Sequence, residues 1–152
     1  MRVGLDSGFH VGGMFSFGVH EPHWGFEVDT LVLRGGTETM TDIAFVPSFL
    51  LRLSADDDPD VYTGFYARIG PEFRFSWADD TPAGATVDGQ IFHIGAQVGI
   101  GYEMQIAGDV SLRILDVRAF GAWRTDRIPP PDDRFGHWSE YGLLFASGIT
   151  FD

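Results

Sequence analysis

The stretch GAQVGIGYEMQIAGDVSLRILDVR, residues 95–118, decides the fold of this chain. From Phe92 to Ile106 apolar residues alternate with glycine or polar residues, and a short turn at 107–109 joins this run to a second alternating run. A period of two residues indicates β-strands rather than helices. Both runs are longer than the usual strand of about 5–6 residues. The stretch therefore predicts a hairpin of long antiparallel strands with one apolar face and one polar face.

The second run of this hairpin changes phase halfway along. Its apolar residues occupy even positions up to Ile114 and odd positions from Leu115 onward. An extra residue in one strand of a pair produces such a change, so we predict a β-bulge at Ile114–Leu115. The bulge would turn Asp116 and Arg118 to the polar face of the hairpin.

Alternation of the same kind extends over most of the chain. It divides the sequence into seven long segments, at 2–20, 24–34, 42–53, 61–77, 87–106, 110–124 and 135–151. The connections between them are alternately shorter and longer, which is typical of an up-and-down meander with tight turns at one end. Pro47 lies inside the third segment and cannot donate a ladder hydrogen bond, so we expect a bulge or an unpaired position there.

Seven strands do not fit the even number found in bacterial single-chain barrels. One account is that a strand ahead of the first segment is missing, together with an export signal. The other is that residues 2–20 contain two strands, broken near Asp6-Ser7-Gly8. We favour the first account.

Composition limits the classes of function. The net charge of −12 argues against binding nucleic acid, which requires clustered positive charge. The absence of cysteine excludes disulfides, thiol catalysis and cysteine-ligated metals. No apolar run reaches the roughly 20 residues of a membrane-spanning helix. We predict no metal site and no cofactor, and we interpret the acidic run 56–60 as a solvated turn rather than a calcium loop.

The composition of the polar face indicates which face is outside. The face is rich in glycine and arginine, and the chain has no lysine, although soluble sheets commonly carry lysine on exposed strands. Mid-strand glycine indicates close approach of other groups, here large side chains inside a narrow barrel. If the phenylalanine-rich face pointed inward instead, it would overfill such a barrel. The sequence thus predicts an all-β, antiparallel up-and-down transmembrane barrel, formed by residues 1–152 as one domain, with its apolar face toward lipid.

Charged residues on the predicted inner face form the first candidate site. We name it the lumen charge network; it consists of Asp6, Glu27, Asp29, Arg68, Glu72, Arg74, Glu103, Arg113, Asp116 and Arg118. Buried ions must be paired, so these residues are expected to form salt bridges that fill the lumen. A gated path for a small solute or ion is the alternative.

Tryptophan placement agrees with a membrane barrel. Trp77, Trp123 and Trp138 adjoin the longer connections, and Trp24 adjoins a short turn. Aromatic girdles at the two membrane interfaces would have this distribution.

Three pieces carry a resemblance to a known group: IGPEFRFSWADD (69–80), residues 95–118 and the closing GLLFASGITFD (142–152). With them the chain resembles the small outer-membrane β-barrel family that includes the OmpA transmembrane domain and OmpX. The resemblance implies a barrel of the eight-stranded type with a lumen closed by side chains. It also implies the Gram-negative cell outer membrane, a removed signal peptide, and lipid and lipopolysaccharide as partners. The aromatic Phe151 is similar to the C-terminal strand signal read by the outer-membrane assembly machinery, although Asp152 follows it. The resemblance implies a structural or interaction role without catalysis.

Two alternatives from other classes stay open. His137 and Ser139 resemble the histidine–serine pair of outer-membrane lipid A deacylases, but Glu140 stands where an asparagine follows in that group. This pair would make the chain a lipid-modifying enzyme. The third reading is a soluble, lipocalin-like lipid-binding barrel.

Overall fold

The computed structural model describes residues 2–4, 8–35, 40–53, 63–78, 90–107, 110–124 and 139–151. These residues are almost entirely β-strand. The strands are β1 (Arg2–Gly4), β2 (Gly8–His20), β3 (Trp24–Gly35), β4 (Met40–Arg52), β5 (Thr63–Ala78), β6 (Gln90–Ala107), β7 (Val110–Arg124) and β8 (Ser139–Phe151). This part of the chain contains no helix long and apolar enough to cross a membrane, a finding that says nothing about a β-barrel.

The strands form a ring in sequence order, with every neighbouring pair antiparallel. Seven long strands make most of the wall. The three-residue β1 pairs with β2 on one side and with β8 on the other, so it closes the barrel over a short height only. The predicted all-β, up-and-down barrel is confirmed.

Residues 2–20 contain two strands rather than one. β1 ends at Gly4 and β2 begins at Gly8, which lies opposite it, so the chain changes strand between these two residues, as the second of the two sequence accounts proposed. Reading 2–20 as one unbroken strand was wrong, because the alternation of the sequence runs on through the break. The favoured account, a further strand ahead of the chain, stays a prediction.

The barrel has its polar face inside and its apolar face outside. On β6, His93, Gln97 and Glu103 are at most 4% exposed, whereas Val98 and Ile100 are at least 55% exposed. The same alternation holds along β3, β4 and β5. The predicted assignment of the two faces is therefore confirmed.

The predicted β-bulge at Ile114–Leu115 is also confirmed. Between Tyr102 and Glu103 of β6, the partner on β7 jumps from Leu115 to Arg113, so Ile114 is the extra residue. Both bulge residues are about half exposed on the outer face. Asp116, which follows them, is buried in the lumen.

Pro47 interrupts a ladder without shifting its register. The β4–β5 pairing stops after Phe45 and resumes at Phe49 in the same register, which brings Pro47 level with Pro71. Neither proline has an N–H to donate, so the ladder has an unpaired stretch and no bulge here. Gly70 permits the close approach, because a Cβ on it would lie 2.0 Å from the carbonyl oxygen of Pro47.

The lumen also contains a small apolar core. Its members are Leu31, Leu33, Ala44, Val46 and Leu144, with Met14 packed against them. This core explains why Leu31, Val32 and Leu33, near the end of β3, are all apolar although successive residues face opposite sides of the strand.

Candidate functional site

The inner face of the barrel carries the candidate site. Nine of the ten residues of the lumen charge network lie on described strands, and all nine are at most 3% exposed. The tenth, Asp6, lies outside the described residues. Other buried polar side chains share this face: His10, Asp42, Ser48, Ser76, His93, Gln97, Ser111 and Thr150.

Arg68 of β5 lies at the centre of the network. One of its terminal nitrogens is 3.3 Å from Oε2 of Glu27 and 3.2 Å from Oδ2 of Asp116. The other donates to Asp29. Glu27 and Asp29 belong to β3 and Asp116 to β7, which is four strands away around the ring. Arg68 therefore connects opposite walls of the barrel.

Arg113 forms a second crossing to the same carboxylate. Its two terminal nitrogens donate to Glu27 at 3.2 Å and 2.6 Å, a bidentate arrangement that guanidinium and carboxylate favour. It also donates to Glu103 at 3.2 Å, and its Cζ lies 5.0 Å from the centre of the Tyr66 ring. His20 completes the contacts of Glu27, with Nε2 2.9 Å from Oε1.

Arg118 forms the third crossing. It donates to Asp116 through Nε at 3.0 Å and Nη2 at 2.6 Å, and to Asp29 on the opposite wall through Nη1. The bulge makes this contact possible, because without the extra residue Asp116 and Arg118 would face outward. Asp29 of β3 and Asp116 and Arg118 of β7, strands far apart in sequence, thus form one cluster inside the barrel.

Glu72 and Arg74 form a looser part of the network on β5. Arg74 is 3.8 Å from both Glu72 and Asp42, and Gln97 donates to Glu72 at 2.8 Å. His10 lies 3.7 Å from Asp42. These longer distances indicate weaker pairing than at the three central arginines.

The charges inside the barrel nearly balance. The described interior holds six carboxylates and five guanidinium groups, counting Arg52, whose side chain is 7% exposed. A protonated His10 or His20, each beside a carboxylate, would supply a sixth cation. Because ions in a low-dielectric interior are stable only when paired, this balance suits a lumen closed to water.

Glycine makes room for a large inner side chain. Tyr66 is fully buried, and a Cβ on Gly101 would lie 2.2 Å from the Cζ and hydroxyl of its ring. The expected role of glycine in accommodating large inner groups therefore has a direct example.

Sequence reasoning missed several members of the network. Asp42, His20 and Arg52 contact charges of the network, and His10 contacts Asp42, but none of the four was predicted to belong to it. Parity could have found Asp42, because it shares its face with Ala44 and with every second residue to Leu50. His10 and His20 also alternate onto the polar face, but the carboxylates beside them lie on other strands and could not be paired with them from the sequence.

The other candidate residues lie at the ends of the barrel. Trp24 is 45% exposed where β3 begins, and Trp123 is 63% exposed near the opposite end. Trp77, half-buried and stacked on Phe75, lies near that opposite end too. Trp138 and His137 lie outside the described residues, and for Ser139 only the backbone is described.

The described inner face is arranged for ion pairing. No group of three or more histidine or acidic residues in the described strands is arranged to hold a metal ion. The acidic run 56–60 lies outside the described residues. What the geometry provides is a set of cross-barrel salt bridges that fill the lumen and tie β2, β3, β5, β6 and β7 together.

The fold and site together define a β-barrel of reversed polarity, with charges inside and apolar side chains outside. Comparison with protein-family models, curated proteins and solved structures found no match.

Proposed function

We propose that this chain is an integral β-barrel protein of the Gram-negative outer membrane, with a structural or interaction role and a lumen closed by ion pairs. One observation carries the proposal. Among the described residues, 26 large apolar side chains are exposed, and they are distributed around the outside of the barrel. A soluble monomer rarely exposes contiguous apolar patches larger than a few hundred Å². Hydrocarbon is the solvent that suits such a surface.

The dimensions of the strands support the same proposal. A strand that crosses a bilayer needs about 9–11 residues, and β3 to β8 each have 12 or more. In a membrane the ring of antiparallel ladders satisfies backbone groups that lipid cannot. The proposed partners are membrane lipid and lipopolysaccharide on the outer face, and the outer-membrane assembly machinery through β8.

The absence of catalysis is part of the proposal. The inner face offers ion pairs in place of an activated nucleophile, and the pair at His137 and Ser139 has no described geometry. Lipid A mass spectra that change on overexpression of the chain would contradict this part and favour the enzyme alternative.

The membrane assignment is tested by the solvent that the folded chain needs. The purified chain is expected to fold in detergent micelles and to migrate differently on gels before and after heating, because a closed barrel resists dodecyl sulfate. A folded, monodisperse protein in detergent-free buffer would overturn the assignment and favour the lipocalin-like alternative.

A further inference from the structure

The outer face of the barrel carries one charge among the side chains described on its strands. Arg34, near the end of β3, is exposed on the same side as Val32, whereas Leu33 between them is 2% exposed. Every other charged side chain that the structure describes on a strand is held in the lumen. An arginine on a lipid-facing surface costs stability according to its depth, so Arg34 belongs at the edge of the apolar band, beside an anionic partner.

Strand pairing places Arg34 in a row with two other hydrogen-bond donors. Arg34 lies opposite Thr41 of β4, and Thr41 lies opposite Trp77 of β5. Thr41 and Trp77 are partly exposed, while their neighbours Asp42 and Ser76 are buried in the lumen. Opposed residues on antiparallel strands lie about 4.5–5.5 Å apart, so the row extends over about 10 Å of the outer wall. We call Arg34, Thr41 and Trp77 the outer polar row. It offers a guanidinium, a hydroxyl and an indole N–H.

An apolar row lies directly below the outer polar row. Its members follow one another across β3 to β6 in one register: Val32, Ile43, Phe75 and Phe92. Trp77 stacks on Phe75 with ring centroids 6.3 Å apart, and the rings of Phe75 and Phe92 are 4.8 Å apart. The wall here thus presents donors above and hydrocarbon below, which is the order of groups in an amphipathic lipid.

We propose that the outer polar row binds a phosphate of lipopolysaccharide, with acyl chains of its lipid A lying on the apolar row. This inference rests on the proposed outer-membrane location and specifies where on the barrel that partner binds. Arginine suits phosphate because its planar guanidinium donates two parallel hydrogen bonds to it. The carboxylates that the structure describes on strands are all buried in the lumen, so the outer surface around Arg34 favours an anion.

The end of the barrel that carries the row selects lipopolysaccharide over other sources of phosphate. β3, β5 and β7 run in one direction, so they end on the same side as the row. The connections that follow β5 and β7, residues 79–89 and 125–138, are long, whereas 21–23 and 108–109 are short and join strands at the other end. Outer-membrane barrels have longer loops outside the cell and short turns in the periplasm. In the proposed location the row therefore lies in the outer leaflet, where lipopolysaccharide supplies the phosphate. Free phosphate would leave the apolar row uncovered.

Native mass spectrometry of the barrel in nonionic detergent tests the proposal, with lipid A and dephosphorylated lipid A as probes. Arg34→Gln should weaken lipid A binding at least about tenfold, since hydrogen bonds to charged groups each contribute about a tenfold step in affinity or more. Trp77→Phe keeps an aromatic ring but removes the N–H donor, and it should weaken lipid A binding about fivefold. Dephosphorylated lipid A should bind weakly, and equally to the unaltered chain and to Arg34→Gln.

The matched control moves the arginine to the other end of the barrel. The double variant Arg34→Gln, Val19→Arg keeps the net charge and places an arginine on the outer face near the end of β2, where Val19 is 67% exposed. It should bind lipid A as weakly as Arg34→Gln does. Heat-modifiable gel mobility shows that each variant is folded.

Equal affinity of the unaltered chain and Arg34→Gln for lipid A would overturn the proposal. So would full affinity of the double variant, which would mean that charge alone is sufficient, or unchanged affinity of Trp77→Phe. Complete displacement of lipid A by inorganic phosphate at equal concentration, or an equal dependence of phosphatidylglycerol binding on Arg34, would overturn the assignment to lipopolysaccharide. A chain that folds without detergent contradicts the membrane proposal itself. A chain that folds only in detergent and binds lipid A without Arg34 contradicts this inference alone.

Discussion

At the residue scale, Glu27 is a carboxylate with charged partners on three other strands. It lies on β3 and contacts Arg113, Arg68 and His20, which belong to β7, β5 and β2. One carboxylate thus ties four strands together from inside the barrel. Removing one partner of a buried ion pair costs more than the pair itself contributes, because the remaining charge stays desolvated.

The first prediction concerns this carboxylate. Glu27→Gln keeps the shape of the side chain but removes its charge, and we expect it to lower the free energy of unfolding by about 3 kcal/mol. The measurement is urea unfolding in detergent micelles or lipid vesicles. The matched control is Glu21→Gln, an exposed residue in the turn before β3, which should change stability by less than about 0.5 kcal/mol. Equal effects of the two substitutions would contradict a structural role for the lumen charge network.

The second prediction concerns packing against Tyr66. Gly101→Ala places a methyl group where the Tyr66 ring lies, and overpacking of this kind should cost about 2 kcal/mol. The same change in a Tyr66→Leu background should cost much less, because the colliding atoms are gone. Gly13→Ala serves as the control, since a Cβ there meets open space. The measurement is urea unfolding. If the effects of Gly101→Ala and Tyr66→Leu simply added, residue 101 and the Tyr66 ring would not be in close contact.

At the element scale, the bulge of β7 determines which charges lie inside. Arg113 before it and Asp116 after it both face the lumen, although their positions differ by an odd number of residues. A single extra residue therefore lets one strand supply three charged groups to the network.

The third prediction removes that extra residue. Deleting Leu115 should prevent folding, because either the residues before it or those after it would turn their charges toward the outer face. Deleting Asp57, in the connection between β4 and β5, should leave the barrel intact, since connections tolerate changes in length. Heat-modifiable gel mobility after refolding distinguishes the two. If the variant without Leu115 folded, β7 would have to form a bulge at another position that returns its charged residues to the inner face.

Elements were predictable from sequence where a local pattern determines them. Alternation located the strands, and the phase change in β7 located the bulge, because both are properties of neighbouring residues. The break near Asp6 left no such mark, because residues on both sides keep the same alternation. The partners of each arginine could not be predicted either. Which carboxylate Arg68 reaches depends on how strands two positions apart are staggered around the ring, and the sequence does not display that stagger.

At the scale of the whole molecule, the ion pairs span the lumen and so lie across any path that runs through the barrel from end to end. Arg118 of β7 donates to Asp29 of β3 across the barrel, and Arg68 of β5 bridges Asp29 and Asp116 from these two walls. A path for ions would require these contacts to break, and each broken contact would leave a buried charge unpaired.

The fourth prediction follows from that closure. The purified chain in planar bilayers should show no stable open level, whereas a general porin in the same bilayers should. Bilayers that receive detergent alone provide the baseline. A steady, reproducible conductance would contradict the closed lumen and support the alternative of a small solute or ion pore.

The position of β1 also has a consequence for the order of folding. The ring is completed where Arg2 meets Leu144, residues that lie almost the whole chain apart. Hairpins such as β6–β7 close over a few residues, whereas this junction requires the largest loop, and the entropy lost on closing a loop rises with its length. The meander from β2 to β8 can therefore assemble step by step, and the β1–β8 ladder forms last. Amide hydrogens of Arg2–Gly4 should exchange with solvent sooner than those of β5 and β6, so that the barrel opens at the place where it closed.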